Sequence, residues 1–191
     1  LTADQPLTPA AVVLHSDGYT PWRVGEPAGD GLERLAESGV PDAFLEEAAA
    51  SRSVLATASG TGPVPPGGSE TIELTVDARD DLRLSLASML AATNDGFVGT
   101  VDRAVGQLDP GAGMRAFLHV YDAGTEANSE SQATVPALGG EGYSPDRDDL
   151  ADFVAVHPGV VSTADDLPSS ALGEGRRFLS PAAMLMVTRQ P

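Results

Sequence analysis

Leu82-Arg83-Leu84-Ser85-Leu86-Ala87-Ser88-Met89-Leu90 runs directly into Ala91-Ala92-Thr93-Asn94-Asp95-Gly96-Phe97-Val98-Gly99. Leu82, Leu84, Leu86 and Ser88 recur at every second position, the period of a β-strand. The strand then delivers the chain to an amide, a carboxylate and a glycine. The arrangement recurs downstream. Ala116 to Tyr121 reads as a strand, and Asp122-Ala123-Gly124-Thr125-Glu126 follows it. Hard cations such as calcium take several oxygen ligands from carboxylates, carbonyls and water. Two such loops at one end of a β-sandwich would form a cation site, so the chain reads as an ion-binding β domain before it reads as an enzyme.

Outward from these loops, short strands and turns predominate. Glu70, Ile72, Leu74 and Val76 alternate with Thr71, Glu73 and Thr75, which predicts a further strand. Ala11–His15, Ser53–Ala58, Phe153–His157 and Ala183–Thr188 are also strand candidates. Residues 60–68 contain Thr-Gly-Pro-Val-Pro-Pro-Gly-Gly and read as a turn. Two helices are expected early. One is capped by Asp30 and ended by Gly39; the other opens at Pro41 and runs through Phe44, Leu45 and Ala48. The segment from Glu126 to Asp149 reads as a long surface loop. The expected fold is mainly β: one antiparallel β-sandwich domain over residues 1–191, with two short helices inserted near the N-terminus.

Composition narrows the partners. Asp and Glu number 28 against 11 basic residues, a formal charge of −17, and all 11 basic residues are arginine. Such charge disfavours nucleic acid, whose phosphates need basic neighbours, and direct contact with an anionic membrane. An acidic, lysine-free chain suits a halophilic archaeon, because salt screens its self-repulsion. A high-GC genome, which also favours arginine, is the alternative. The 41% hydrophobic content is that of a globular chain. No apolar run reaches the roughly 20 residues of a membrane span. Leu1 is not an initiator methionine, so an upstream segment is expected to have been removed or left out. Cysteine is absent, which removes thiolate metal sites and cysteine nucleophiles.

Other motifs are weaker. His15, His119 and His157 are far apart and lack metalloprotease spacing, so structural roles are expected. Asp146-Arg147-Asp148-Asp149 and Asp165-Asp166 read as solvated acidic surface. Met184 and Met186, two apart, read as core residues on one face of a strand. No Gly-x-Ser-x-Gly elbow is present, and a phosphate loop has no lysine to use. For Asp95 and Asp122 an alternative stands: both are turn acids bonding to the backbone, a common use of Asp before Gly.

The ordered pair of motifs, Ser85–Gly99 and Tyr121–Glu126, resembles the spondin N-terminal domain of F-spondin, mindin and many prokaryotic secreted proteins. His15-Ser16-Asp17-Gly18-Tyr19, Trp22, Gly31-Leu32, Leu35–Gly39 and Ala183–Arg189 match in the same order. The resemblance implies a sandwich similar to calcium-dependent lipid-binding domains, a calcium ion in its loops, an extracellular or cell-surface location and no catalysis. By position, its metal-binding acids fall on Asp95, Asp122 and Glu126. It also implies adhesion to an extracellular protein or glycan surface. Glu126 stands where animal members carry Asp, Gly96 replaces an aromatic residue, and Asp102 is displaced by one position. The family commonly begins with a strand ahead of the segment matching Leu1–His15, and that strand is missing here. Truncation is one explanation. Another is a homo-oligomer or extracellular filament in which a neighbour supplies the strand. A metal-dependent hydrolase remains the third reading; it needs an open metal position beside a base.

Overall fold

The computed structural model describes residues 4–147 and 151–190. Its central sheet has the order β2 (Val54–Ser59), β1 (Ala11–His15), β3 (Arg83–Met89), β4 (Gly96–Ala104), β5 (Gly113–Asp122) and β6 (Ala155–Val156). Every neighbouring pair is antiparallel. β5 is the corner. Its second half pairs with β4 from Gly99↔His119 to Gly96↔Asp122, while its first half pairs with β7 (Ala183–Thr188) from Gly113↔Thr188 to Leu118↔Ala183. A strand that changes partners in this way carries the chain into a second layer. The fold is mainly β and sandwich-like, with two short helices, as expected.

Strand alternation divides the core. Ala11 and Val13 of β1 face one side; Val12 and Leu14 face the other. The first side packs under α1 (Asp30–Ser38) and α2 (Asp42–Ala49), where Leu32, Leu35, Phe44 and Ala48 meet Trp22, Ala87 and Phe97. The second side holds Leu84, Leu86, Val98, Leu118 and Val120, the sandwich interior. Because both faces are covered, all five residues of β1 are buried.

Several expectations need correction. Asp30 lies within the first turn of α1 and does not cap it; the Gly31 N–H donates to Glu47 Oε2 of α2 at 2.8 Å instead. Gly39 does end α1, with φ 71°. Residues 70–76 keep their alternating burial but join no sheet among the described residues. The Gly96-Phe97-Val98-Gly99 start of β4 reads as loop chemistry, yet the strand pairs on both sides. Met184 and Met186 point outward, 50% and 59% exposed, while Leu185 and Val187 face the core. The 126–149 segment is not only surface, since Glu130 and Val135 are fully buried. Within the Asp146–Asp149 cluster, Arg147 forms an ion pair with the buried Glu33; Asp148 and Asp149 lie outside the described residues.

Candidate metal centre

The register Gly96↔Asp122 brings the two motifs together at one end of the sheet. Asn94 and Asp95 precede β4, Asp122 ends β5, and both connections turn inward. Thr93, Asn94, Asp95 and Thr125 are fully buried, and Asp122 and Glu126 are nearly so. The three acids singled out by sequence therefore gather in one buried seam.

The seam is a network of turn bonds. Asp95 Oδ2 accepts the backbone N–H of Thr125 at 2.9 Å and of Glu126 at 3.2 Å. The Ala123 N–H donates to the Asp95 carbonyl at 3.2 Å. Asp122 Oδ1 accepts the Gly124 N–H at 2.9 Å, an Asx-type turn, and its Oδ2 accepts from Asn128 Nδ2 at 2.5 Å. Asn94 Nδ2 donates to the carbonyls of Glu126 and Ala127. Gly124 has φ 71°, and a Cβ there would lie 2.3 Å from the Phe153 carbonyl oxygen, so this turn admits only glycine. The turn-acid reading thus describes bonds that are present. It does not exclude a cation, because a carboxylate oxygen retains a further lone pair.

Glu130 and Asn128, which the sequence does not single out, also belong here, together with His157. Glu130 is fully buried; its Oε1 accepts the Val161 N–H at 3.1 Å, and its Oε2 has no hydrogen-bond partner. Burial chiefly, and Asp122 in addition, raise its pKa. Asn128 leaves its Oδ1 unpartnered, as does Asn94. His157 packs at this end, its Cδ2 3.0 Å from where a Cβ of Gly96 would sit. Its Nδ1 accepts the Gly159 N–H at 3.0 Å, and its ring meets Phe178 edge-on. The signal for Glu130 and Asn128 was their closeness to Glu126. It was hidden because an acidic, glycine-rich stretch reads as exposed loop.

Donor chemistry fits a hard cation: carboxylates and amide oxygens lie together, and no described arginine forms an ion pair with Asp122 or Glu130. Among the described residues, however, no three His, Asp or Glu side chains already converge on one point as a ligand set. An ion would need the amide or backbone oxygens as well.

His157 sets a pH dependence. Burial holds its pKa down at about 4 against an ordinary 6.5, with Asp122 opposing the shift. The unfolded chain therefore binds the proton first as pH falls, and stability is lost between about 6.5 and about 4. The raised pKa of Glu130 acts oppositely, taking up a proton first in the folded state. Thermal melts in molar salt, where self-repulsion is screened, are expected to show a midpoint that falls across this window. In His157→Gln the fall should flatten or reverse. Parallel curves for the two proteins would show that His157 is not the cause.

The family model described as Spondin_N matches residues 5–137, and the chain belongs to the spondin N-terminal domain family. No curated protein matches it. The family is one of non-catalytic modules, typically extracellular. Among the described residues no helix is long and apolar enough to cross a membrane.

Proposed function

We propose that this is a non-enzymatic extracellular adhesion or cell-surface assembly module that binds calcium through Asp95, Asp122 and Glu126. The observation that carries the reading is the buried seam in which Asp95 holds the Thr125–Glu126 turn, Asn94 holds the Glu126 and Ala127 carbonyls and Asn128 bonds Asp122, with Asn94 Oδ1 and Asn128 Oδ1 unpartnered and, among the described residues, no arginine paired to Asp122. Burying like charges is costly unless a cation or proton offsets them. Asn94 Oδ1, Asn128 Oδ1 and Glu130 Oε2, each buried without a hydrogen-bond partner, are candidates for completing the ligand set.

Calcium would supply a fixed positive charge that ties the two turns and the 126–130 segment together. The residues themselves supply the frame: Asp95 holds the Thr125–Glu126 turn, Asp122 holds Gly124, and Asn94 holds the Glu126 and Ala127 carbonyls. A stiffened rim is suited to binding an extracellular protein or glycan surface. The −17 charge supports work in high salt, where a cation bridging acidic surfaces is most useful.

A hydrolase reading gains a histidine near the acids, but not an accessible one. His157 is buried and its Nδ1 already accepts a backbone N–H. Two surface hollows, one lined by Trp22, Gly99 and His119 and the other by Glu33, Tyr143 and Arg147, do not include the acids.

The test is calorimetric calcium titration in molar potassium chloride. The parent is expected to bind and Asp122→Ala to lose at least about tenfold in affinity, about 1.4 kcal/mol. Equal isotherms would reject the ligand assignment.

A further inference from the structure

The helical layer covers only part of the sheet. α1 and α2 pack on β1, β3 and β4. Their cover ends at Trp22, whose ring meets Phe44 of α2 and, beyond it, Tyr121 of β5. The strand register carries the same face onward. Gly99, which lies under Trp22, is opposite His119, and Phe97 is opposite Tyr121. Alternation then puts Arg115 and Phe117 on this side of β5 as well. Phe117 pairs with Met184 and Arg115 with Met186 of β7, and Tyr121 pairs with Val156 of β6. Phe117 is 60% exposed, and Arg115, Val156, Met184 and Met186 are exposed with it.

The composition of this strip is unlike the rest of the surface. Nine large apolar side chains are exposed among the described residues, and five of them, Val24, Phe117, Val156, Met184 and Met186, stand here. Single exposed apolar residues need no explanation, but a contiguous group marks an interaction site. The chain holds 28 acids. None stands on the outward positions of β5 and β7, nor in the adjoining hollow of about 260 Å³ between Trp22, Thr100, Arg103, His119 and Tyr121. Arg103 and Arg115 form no ion pair among the described residues. The Arg103 Nε donates to Thr100 Oγ1 at 2.7 Å instead.

We propose that this ledge over β5 and β7 is the docking site for an acidic amphipathic helix of another protein, laid beside Trp22 so that it continues the α1–α2 layer. Its apolar stripe covers Phe117, Met184 and Met186, and its carboxylates meet Arg103 and Arg115. From Arg115 to Tyr121 the strand spans ~20 Å, the length of about 14 helical residues. A second copy has no such helix to give among its described residues, because α1 and α2 bury Leu32, Leu35, Phe44 and Ala48 in their own core. Two copies joined face to face would set Arg103 and Arg115 against a strip without acids. A bilayer cannot lie flat on the ledge, since a helix about 10–12 Å thick rises beside it. The site deepens the adhesion reading and does not need the calcium centre.

The test is therefore run in chelator, so that its failure and that of the calcium assignment are read separately. The probe is the synthetic peptide Glu-Leu-Glu-Glu-Leu-Phe-Glu-Glu-Leu-Glu-Glu-Leu-Phe-Glu, titrated into the intact chain. Molar potassium chloride, with a Debye length of about 3 Å, screens repulsion between two acidic molecules while contact pairs persist. Amide chemical shifts are expected to move at residues 115–121 and 183–187. Arg103→Glu with Arg115→Glu should weaken binding at least ~10-fold at an unchanged melting midpoint, and a peptide with Lys at every Glu position should bind that variant in its place. Phe117→Ser, which keeps both arginines, should weaken binding at least ~10-fold as well. No shifts at this face, or equal shifts from the Glu and Lys peptides on the parent, would overturn the proposal. Stronger shifts of the same amides from polygalacturonate or phosphatidylglycerol vesicles would make a glycan or a membrane the occupant and overturn it. Shifts that grow with protein concentration alone would assign the face to a second copy and overturn it too.

Discussion

Asp95→Ala, unfolded by urea in the presence of chelator, is expected to lose about 3–5 kcal/mol of stability, because two buried backbone donors lose a charged acceptor. Those donors are the N–H groups of Thr125 and Glu126, and both residues are buried. Water cannot replace the carboxylate without opening the seam. Asp95→Asn keeps one oxygen at the same reach and is expected to cost only about 1–2 kcal/mol, since the acceptor loses its charge but not its place. The pair of variants separates two duties of one side chain. If Asp95 is both a turn clamp and a calcium ligand, Asn restores much of the apo stability yet removes most of the stabilisation gained on adding calcium. If it is a clamp alone, calcium shifts the parent and Asn proteins equally. An Asp95→Ala protein within about 0.5 kcal/mol of the parent would show that the seam does not depend on this carboxylate.

The contrast also explains what the sequence could disclose about this site. Asp95, Asp122 and Gly124 were legible because a carboxylate or glycine at a strand end has few physical uses, and the register Gly96↔Asp122 realises the expected pairing. Glu130 and Asn128 were not legible. Nothing local distinguishes a buried glutamate from a solvated one, and the Val161 N–H that holds Glu130 comes from 31 residues away. The period-2 pattern of residues 70–76 predicts a strand, and the chain there keeps the buried face without joining a sheet among the described residues, because periodicity reports a buried face and not a hydrogen-bonded neighbour. Met184 and Met186 failed for a related reason. Alternation fixes that two faces exist, while which face turns inward depends on Leu185 and Val187 packing on the core. β4 was concealed because its glycines, weak strand formers, mark close approach: Gly99 lies under Trp22 and Gly96 against His157.

That approach at Gly99 underlies the other large effect. Trp22→Ala is expected to destabilise the fold by about 3–5 kcal/mol, the usual cost of deleting a buried large aromatic side chain. Trp22 joins the layers: its ring lies 5.2 Å from Phe97 of β4 at 90°, 6.4 Å from Phe44 of α2 and 6.3 Å from Tyr121 of β5. It is only 7% exposed, so its removal leaves a cavity between helices and sheet that neighbours on three elements cannot all close. From the other side, a Cβ on Gly99 would lie 2.7 Å from the indole ring and 2.8 Å from the Leu86 carbonyl oxygen. Gly99→Ala should therefore cost about 1–3 kcal/mol by overpacking. The two changes touch the same atoms and cannot add. With the indole gone, the new methyl has space on that side and still meets the Leu86 carbonyl, so the double variant should fall short of the summed losses by at least about 0.5 kcal/mol. Far-UV circular dichroism during urea unfolding is the suitable readout, since Trp22 is the only tryptophan and its variant has no indole signal. Strict additivity would mean that Gly99 is required by the strand backbone alone, and that the indole does not press on β4.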